Sequence, residues 1–147
     1  MAVHLHTQIR NAAKTALTGL PSTGAHVYTN RLHPLGAADL PGLRIYIGEE
    51  ASEDLTVDAP VAQRRQPVLI VECCAKETGE VFDVLDQISL EVEAALAGGI
   101  TVAHRLLLST YDGMQHDEEI ADKPAGVKRL RFSIPYTAAA NAPDVLI

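Results

Sequence analysis

The side chains that could do chemistry are six histidines, 19 carboxylates and one adjacent cysteine pair. The histidines are His4, His6, His26, His33, His104 and His116. His4 and His6 lie two apart in a predicted helix, so they cannot share a face. No HxxxH or HExxH spacing is present to hold a metal. His116, with Asp112, Asp117, Glu118 and Glu119, could gather a cation. A true calcium loop would alternate oxygen ligands and close on a glutamate at fixed spacing, a pattern this stretch lacks. Cys73 and Cys74 are neighbours on a predicted strand, so they point to opposite faces. Without CxxC spacing they read as reduced structural residues. There is no GxSxG, GxGxxG or P-loop. Carboxylate pairs such as Glu49-Glu50 catalyse only in a shaped, partly dry site. The basic clusters are Arg64-Arg65 and Lys128-Arg129-Arg131. They could meet phosphate, or form salt bridges within the chain or across an interface. The residue types therefore predict no catalytic, cofactor-binding or metal site, and no enzyme.

The stretch that must organise the chain is RRQPVLIVECCAKETGEVFDVLDQISLEVEAALAGG, residues 64–99. The run Val68-Leu69-Ile70-Val71 fits a strand covered on both faces, beginning near Pro67. Thr78 is a plausible helix N-cap. Val81, Val84, Leu85, Ile88, Val92, Ala95 and Leu96 then form one helical stripe, with Leu90 on the polar side. Gly98 and Gly99 end it. A first helix is predicted over 3–18, with Leu5, Ile9, Ala12, Ala13, Ala16 and Leu17 as its apolar face. Strands are predicted over 25–29, 43–47, 103–110 and 127–136. In the last, Leu130, Phe132 and Ile134 should face inward and Arg129, Arg131 and Ser133 outward.

These elements give an α+β (α/β) fold: a mixed, mostly antiparallel sheet of four to five strands with two helices packed on one face. Residues 1–137 read as a single domain. Residues 138–147 read as a tail that is either flexible or ordered only in an assembly, and its removal should leave the fold intact. Two helices cover one face only, while the runs 68–71 and 106–108 look apolar on both. The second cover predicted is another copy of the chain, met through Leu69, Val71, Leu107, Arg129 and Arg131. Two acidic stretches, 48–60 and 111–124, read as loops. They are either solvated connections or loops that face a partner or line a channel, through Glu49, Glu50, Glu53, Asp54, Asp117, Glu118 and Glu119.

The net charge is −7, with 47% hydrophobic and 4% aromatic residues. Such a balance disfavours sequence reading of nucleic acid, which needs a basic face. No signal peptide or run of about 20 apolar residues is visible, so synthesis in the cytoplasm is the default expectation. A small-molecule pocket near Tyr28, His33, Tyr46 and His104 is the rival reading, weakened by the scarcity of aromatic residues.

In the order of its segments the chain resembles the phage tail terminator family, the minor tail protein U type of long non-contractile tails. The resemblance runs through HLHTQIRNAAKTALTGL, VYTNRLHPLGAADLPGLRIYIGEE, VLIVECCAKETGEVFDVLDQISLEVEAALAG and KPAGVKRLRFSIPY. It implies a small α/β subunit of a hexameric ring, without cofactor or catalysis. That ring caps the tail tube, stops its polymerisation and later meets a head–neck completion protein. DNA passes through the ring without specific binding. The implied location is the head-proximal end of the tail, and the host cytoplasm during assembly. Another neck or tail-completion protein is the alternative within this class.

Overall fold

A computed structural model of the chain describes residues 2–76, 78–119 and 125–147. The first helix, α1, spans Leu5–Leu17. Its N-terminus is capped by the His4 ring, which accepts from the His6 N–H at 3.0 Å. Leu5, Ile9, Ala13 and Leu17 fall on one stripe and are fully buried. The second helix, α2, spans Val81–Leu96 and buries Leu85, Ile88, Ser89, Val92 and Leu96. Leu90 is exposed as expected, whereas Val84, placed on the stripe by spacing, stands 37% exposed. Thr78 is not the N-cap expected: that position is Glu80, and the Thr78 hydroxyl, three residues ahead of Val81, accepts from the Glu80 N–H at 3.3 Å.

The main sheet has six strands: β1 (Val27–Tyr28), β2 (Gly42–Asp54), β3 (Ala62–Lys76), β6 (Thr110–Glu119), β7 (Ala125–Ser133) and β8 (Tyr136–Ala139). Their order is β1-β2-β3-β7-β6, with β8 also on β3. Only β1–β2 is parallel among these pairs. A separate hairpin, β4 (Ile100–Val102) and β5 (Arg105–Leu107), packs against α1. The architecture is α+β, with both helices on one face of a mixed, mostly antiparallel sheet.

Several expected boundaries move, and β3, expected to begin near Pro67, begins at Ala62. The acidic stretch 48–60 is a loop only from 55 on: β2 carries Glu49, Glu50, Glu53 and Asp54 inside the ladder, up to Asp54 opposite Gln63. The second acidic stretch is likewise strand β6 through Glu119, and its remainder, 120–124, lies outside the described residues. The strand expected over 103–110 opens instead on the β4–β5 turn, where Ala103 and His104 have φ of 49° and 64°; only Arg105–Leu107 form β5, and β6 starts at Thr110.

Along β3, Leu69, Val71, Cys73 and Ala75 face the helices, while Ile70, Glu72 and Cys74 face the other way. The predicted alternation in β7 holds: Leu130, Phe132 and Ile134 are buried. A bulge in β2 between Ile47 and Glu49 changes its parity. Arg44 and Tyr46 therefore face the helix-free side, and Glu50 faces α1.

Residues 138–147 are docked. Ala138 is fully buried and Leu146 packs on the core. The Leu5 N–H donates to the Pro143 carbonyl at 3.0 Å, and the Ala140 N–H to the Val61 carbonyl at 2.9 Å. The expectation of a flexible tail fails because β8 continues the line of β7 along β3 after Pro135.

Gly99 ends α2 with φ +87°, its N–H donating to the Leu96 carbonyl at 3.0 Å. A Cβ there would collide with the Leu107 carbonyl. Gly99→Ala combines that clash with the left-handed penalty and should cost about 2–4 kcal/mol in chemical denaturation. A loss below about 0.5 kcal/mol would show that the β4–β5 hairpin yields freely.

Candidate functional site

The helix-free face of the sheet holds an alternating row of charges. Arg44 on β2, Glu72 on β3 and Arg129 on β7 are register neighbours, and Asp117 on β6 extends the row. The Glu72 side chain is fully buried. Its Oε1 lies 2.8 Å from Arg44 Nη2, and its Oε2 lies 2.5 Å from Arg129 Nε. The Tyr46 hydroxyl donates to Oε2 at 3.0 Å. Arg129 Nη1 donates to Asp117. Burial, opposed by bonds to Asp117 and Glu72, leaves the Arg129 guanidinium held more firmly protonated than usual. A carboxylate can lie dry here because two guanidiniums and a hydroxyl replace its water.

Beside this row, Leu35, Cys74 and Val127 form a small second core, with Tyr28 and Leu40 packed against it. The Tyr28 hydroxyl donates to Asp39 at 3.0 Å, and Arg31 pairs with the same carboxylate at 2.9 Å. Ion row and loop together seal this face within one chain. The argument that a second copy must cover an apolar sheet face therefore falls.

The predicted interface residues separate. Leu69 and Val71 are fully buried beneath the helices and have no surface to offer a neighbour. Leu107, at 9% exposure, fills the core from the β4–β5 hairpin rather than the main sheet. Its neighbours Leu106 and Leu108 turn outward, 64% and 69% exposed. Arg129 belongs to the buried row, and Arg131 donates to Glu49 across the sheet.

The predicted acidic residues separate too. Glu50 lies at the α1 side of β2, where it accepts from Arg65 at 2.8 Å, His6 at 3.1 Å and the Tyr136 hydroxyl at 3.1 Å. Asp117 is bonded to Arg129. Glu49, Glu53 and Asp54 remain exposed on the β2–β3 arm. The side chains of Glu118 and Glu119 lie outside the described residues.

Burial works against the Glu50 carboxylate, but the bonds from Arg65, His6 and Tyr136 outweigh it and hold its pKa below the ordinary value. A depressed folded pKa adds stability above the unfolded value and loses it as pH falls through the folded value. Wild-type stability should therefore decline below about pH 4.5. Glu50→Gln should flatten that decline in urea melts run from pH 6 to pH 3. Equal acid sensitivity in both proteins would assign the loss to other carboxylates.

The pocket set proposed from sequence is scattered. His104 sits in the β4–β5 turn, on a hairpin packed against α1, while Tyr28 and Tyr46 lie on the opposite face with their hydroxyls engaged. His33 is exposed in the loop before β2. Among the described residues, no group of three or more His, Cys, Asp or Glu is placed to hold a metal. Sequence reading missed Glu72. Its signal was a lone carboxylate inside the apolar run VLIVECC.

No family model matches the sequence, and no curated protein matches it. In structure the chain is similar to a chain from the virion of a native gene transfer agent particle. The two are 16% identical, with a TM-score of 0.47, over 91% of this chain and 94% of that one.

Proposed function

We propose that the chain is a structural subunit of a phage-type virion, and within that class a tail terminator. It assembles as a ring, caps the tail tube and offers a joining surface to a head–neck protein; it performs no catalysis. The reading is carried by the resemblance of its segments to that family across nearly the whole chain. The surface agrees in kind. Leu106 and Leu108 stand out on either side of a buried leucine, and exposed apolar side chains grouped on one element suit association.

The test is absolute mass by light scattering over a concentration series, alone and with tail-tube protein. A closed ring, in solution or only on the tube, is the expected result. A monomer indifferent to the tube would overturn the proposal.

A further inference from the structure

β1 pairs with β2 only at Leu43 and Arg44, so beyond Arg44 no described strand occupies β2's outer edge. A groove opens there beside Ile45, Tyr46 and Ile47, and Arg10, Arg31 and Arg44 reach its walls. Arg31 and Arg44 are paired with Asp39 and Glu72. Arg10 donates to the neutral Thr7 hydroxyl at 3.2 Å, so its positive charge has no carboxylate partner among the described residues. Leu32, also lining the groove, is 90% exposed.

At the far end of the same strand, the tip Ser52–Ala59 reads SEDLTVDA and carries Glu53, Asp54 and Asp58. Arg64 opposite Glu53 offsets part of that charge. Val57 at this tip is 96% exposed, and Leu55 is half exposed. Leu32 and Val57 are the two most exposed large apolar side chains described. From Tyr46 to Asp54 the strand spans about 26 Å at ~3.3 Å per residue, so a tip cannot enter its own groove.

We infer that the acidic tip of one copy seats in the Arg10–Leu32 groove of the next. The contact joins unlike surfaces, so repetition closes a ring if the rotation permits. It withdraws both exposed apolar side chains from water and brings Glu53, Asp54 or Asp58 to Arg10. The inference rests on the assembly reading above and names the contact that reading needs.

Site-directed disulfide trapping tests it. The native cysteines are buried, and burial pushes the Cys73 thiol well above its ordinary pKa, so introduced thiols report alone. An equimolar mixture of Leu32→Cys and Val57→Cys should give one mixed disulfide dimer on mild oxidation. The double variant should give a head-to-tail ladder, and neither single variant alone should cross-link comparably. Arg10→Glu should suppress the ladder at least tenfold, and adding Asp58→Lys should restore part of it. Wild-type mass by light scattering separates the two failures. An oligomer without 32–57 cross-links overturns this contact and leaves the assembly reading standing. A monomer on and off the tube, with no mixed dimer, overturns both.

Discussion

Glu72→Ala is expected to lower folding stability by about 3–5 kcal/mol, because it removes the buried carboxylate that two guanidiniums share in a largely dry layer. Arg44 and Arg129 have side chains only 11% and 23% exposed, and neither can swing fully into water without leaving the sheet face. For a chain of this size the loss lowers Tm by on the order of 10 °C. The pair itself adds little net stability, since its desolvation offsets its attraction. The expectation therefore has a second half. Arg44→Met, Glu72→Leu and Arg129→Met together should recover most of the loss, as apolar replacements of a buried charge group often do. A single Glu72→Ala costing less than about 1 kcal/mol would mean that water reaches the row. Guanidinium or urea melts of the three proteins read both halves.

Truncation after Thr137 is expected to cost on the order of 5 kcal/mol. It removes the buried Ala138, the Leu146 contact with the core and the backbone bonds from Leu5, Ala140 and Ile147, each worth about 1 kcal/mol net. It also removes one of the two carbonyls to which the Gln8 amide donates, that of Asp144 at 2.9 Å, leaving that of Val3 at 2.7 Å. Such a loss is comparable with the whole stability of a marginal domain. The shortened protein should melt early and broadly, or fail to fold. A cooperative melt within about 1 kcal/mol of the full chain would restore the view of these residues as a dispensable tail.

The parts legible from sequence were those in which one physical signal acts alone. α1 and α2 declare themselves through 3.6-residue periodicity and terminal glycines, and β7 through strict alternation of apolar and basic residues. The β2–β3 arm was hidden because its outer half is acidic and two-sided, which looks like a loop when the partner strand is unknown. The bulge before Glu49 added a second disguise by reversing which side chains face the helices. β6 was hidden in the same way, with Asp112 and Gly113 interrupting its apolar signal at the point where its register also shifts. The charge row around the buried Glu72 was the least legible. Arg44, Glu72, Arg129 and Asp117 come from four strands, and only the register between those strands makes them neighbours. Reading the acidic side chains as free for partners failed for Glu50 and Asp117 because cations within the chain already hold them. The apolar interface was likewise misplaced: 68–71 is covered by helices on one side and by charge and loop on the other.

The 15-residue β3 is hydrogen-bonded to β2 on one side and to β7 and β8 on the other. That arrangement has a mechanical consequence. A pull on the arm along the strand axis is carried in shear by many ladder bonds at once, instead of opening them one after another. Tension at the tip is thereby delivered into the middle of the sheet, beneath both helices, where the resistance to sliding is shared most widely.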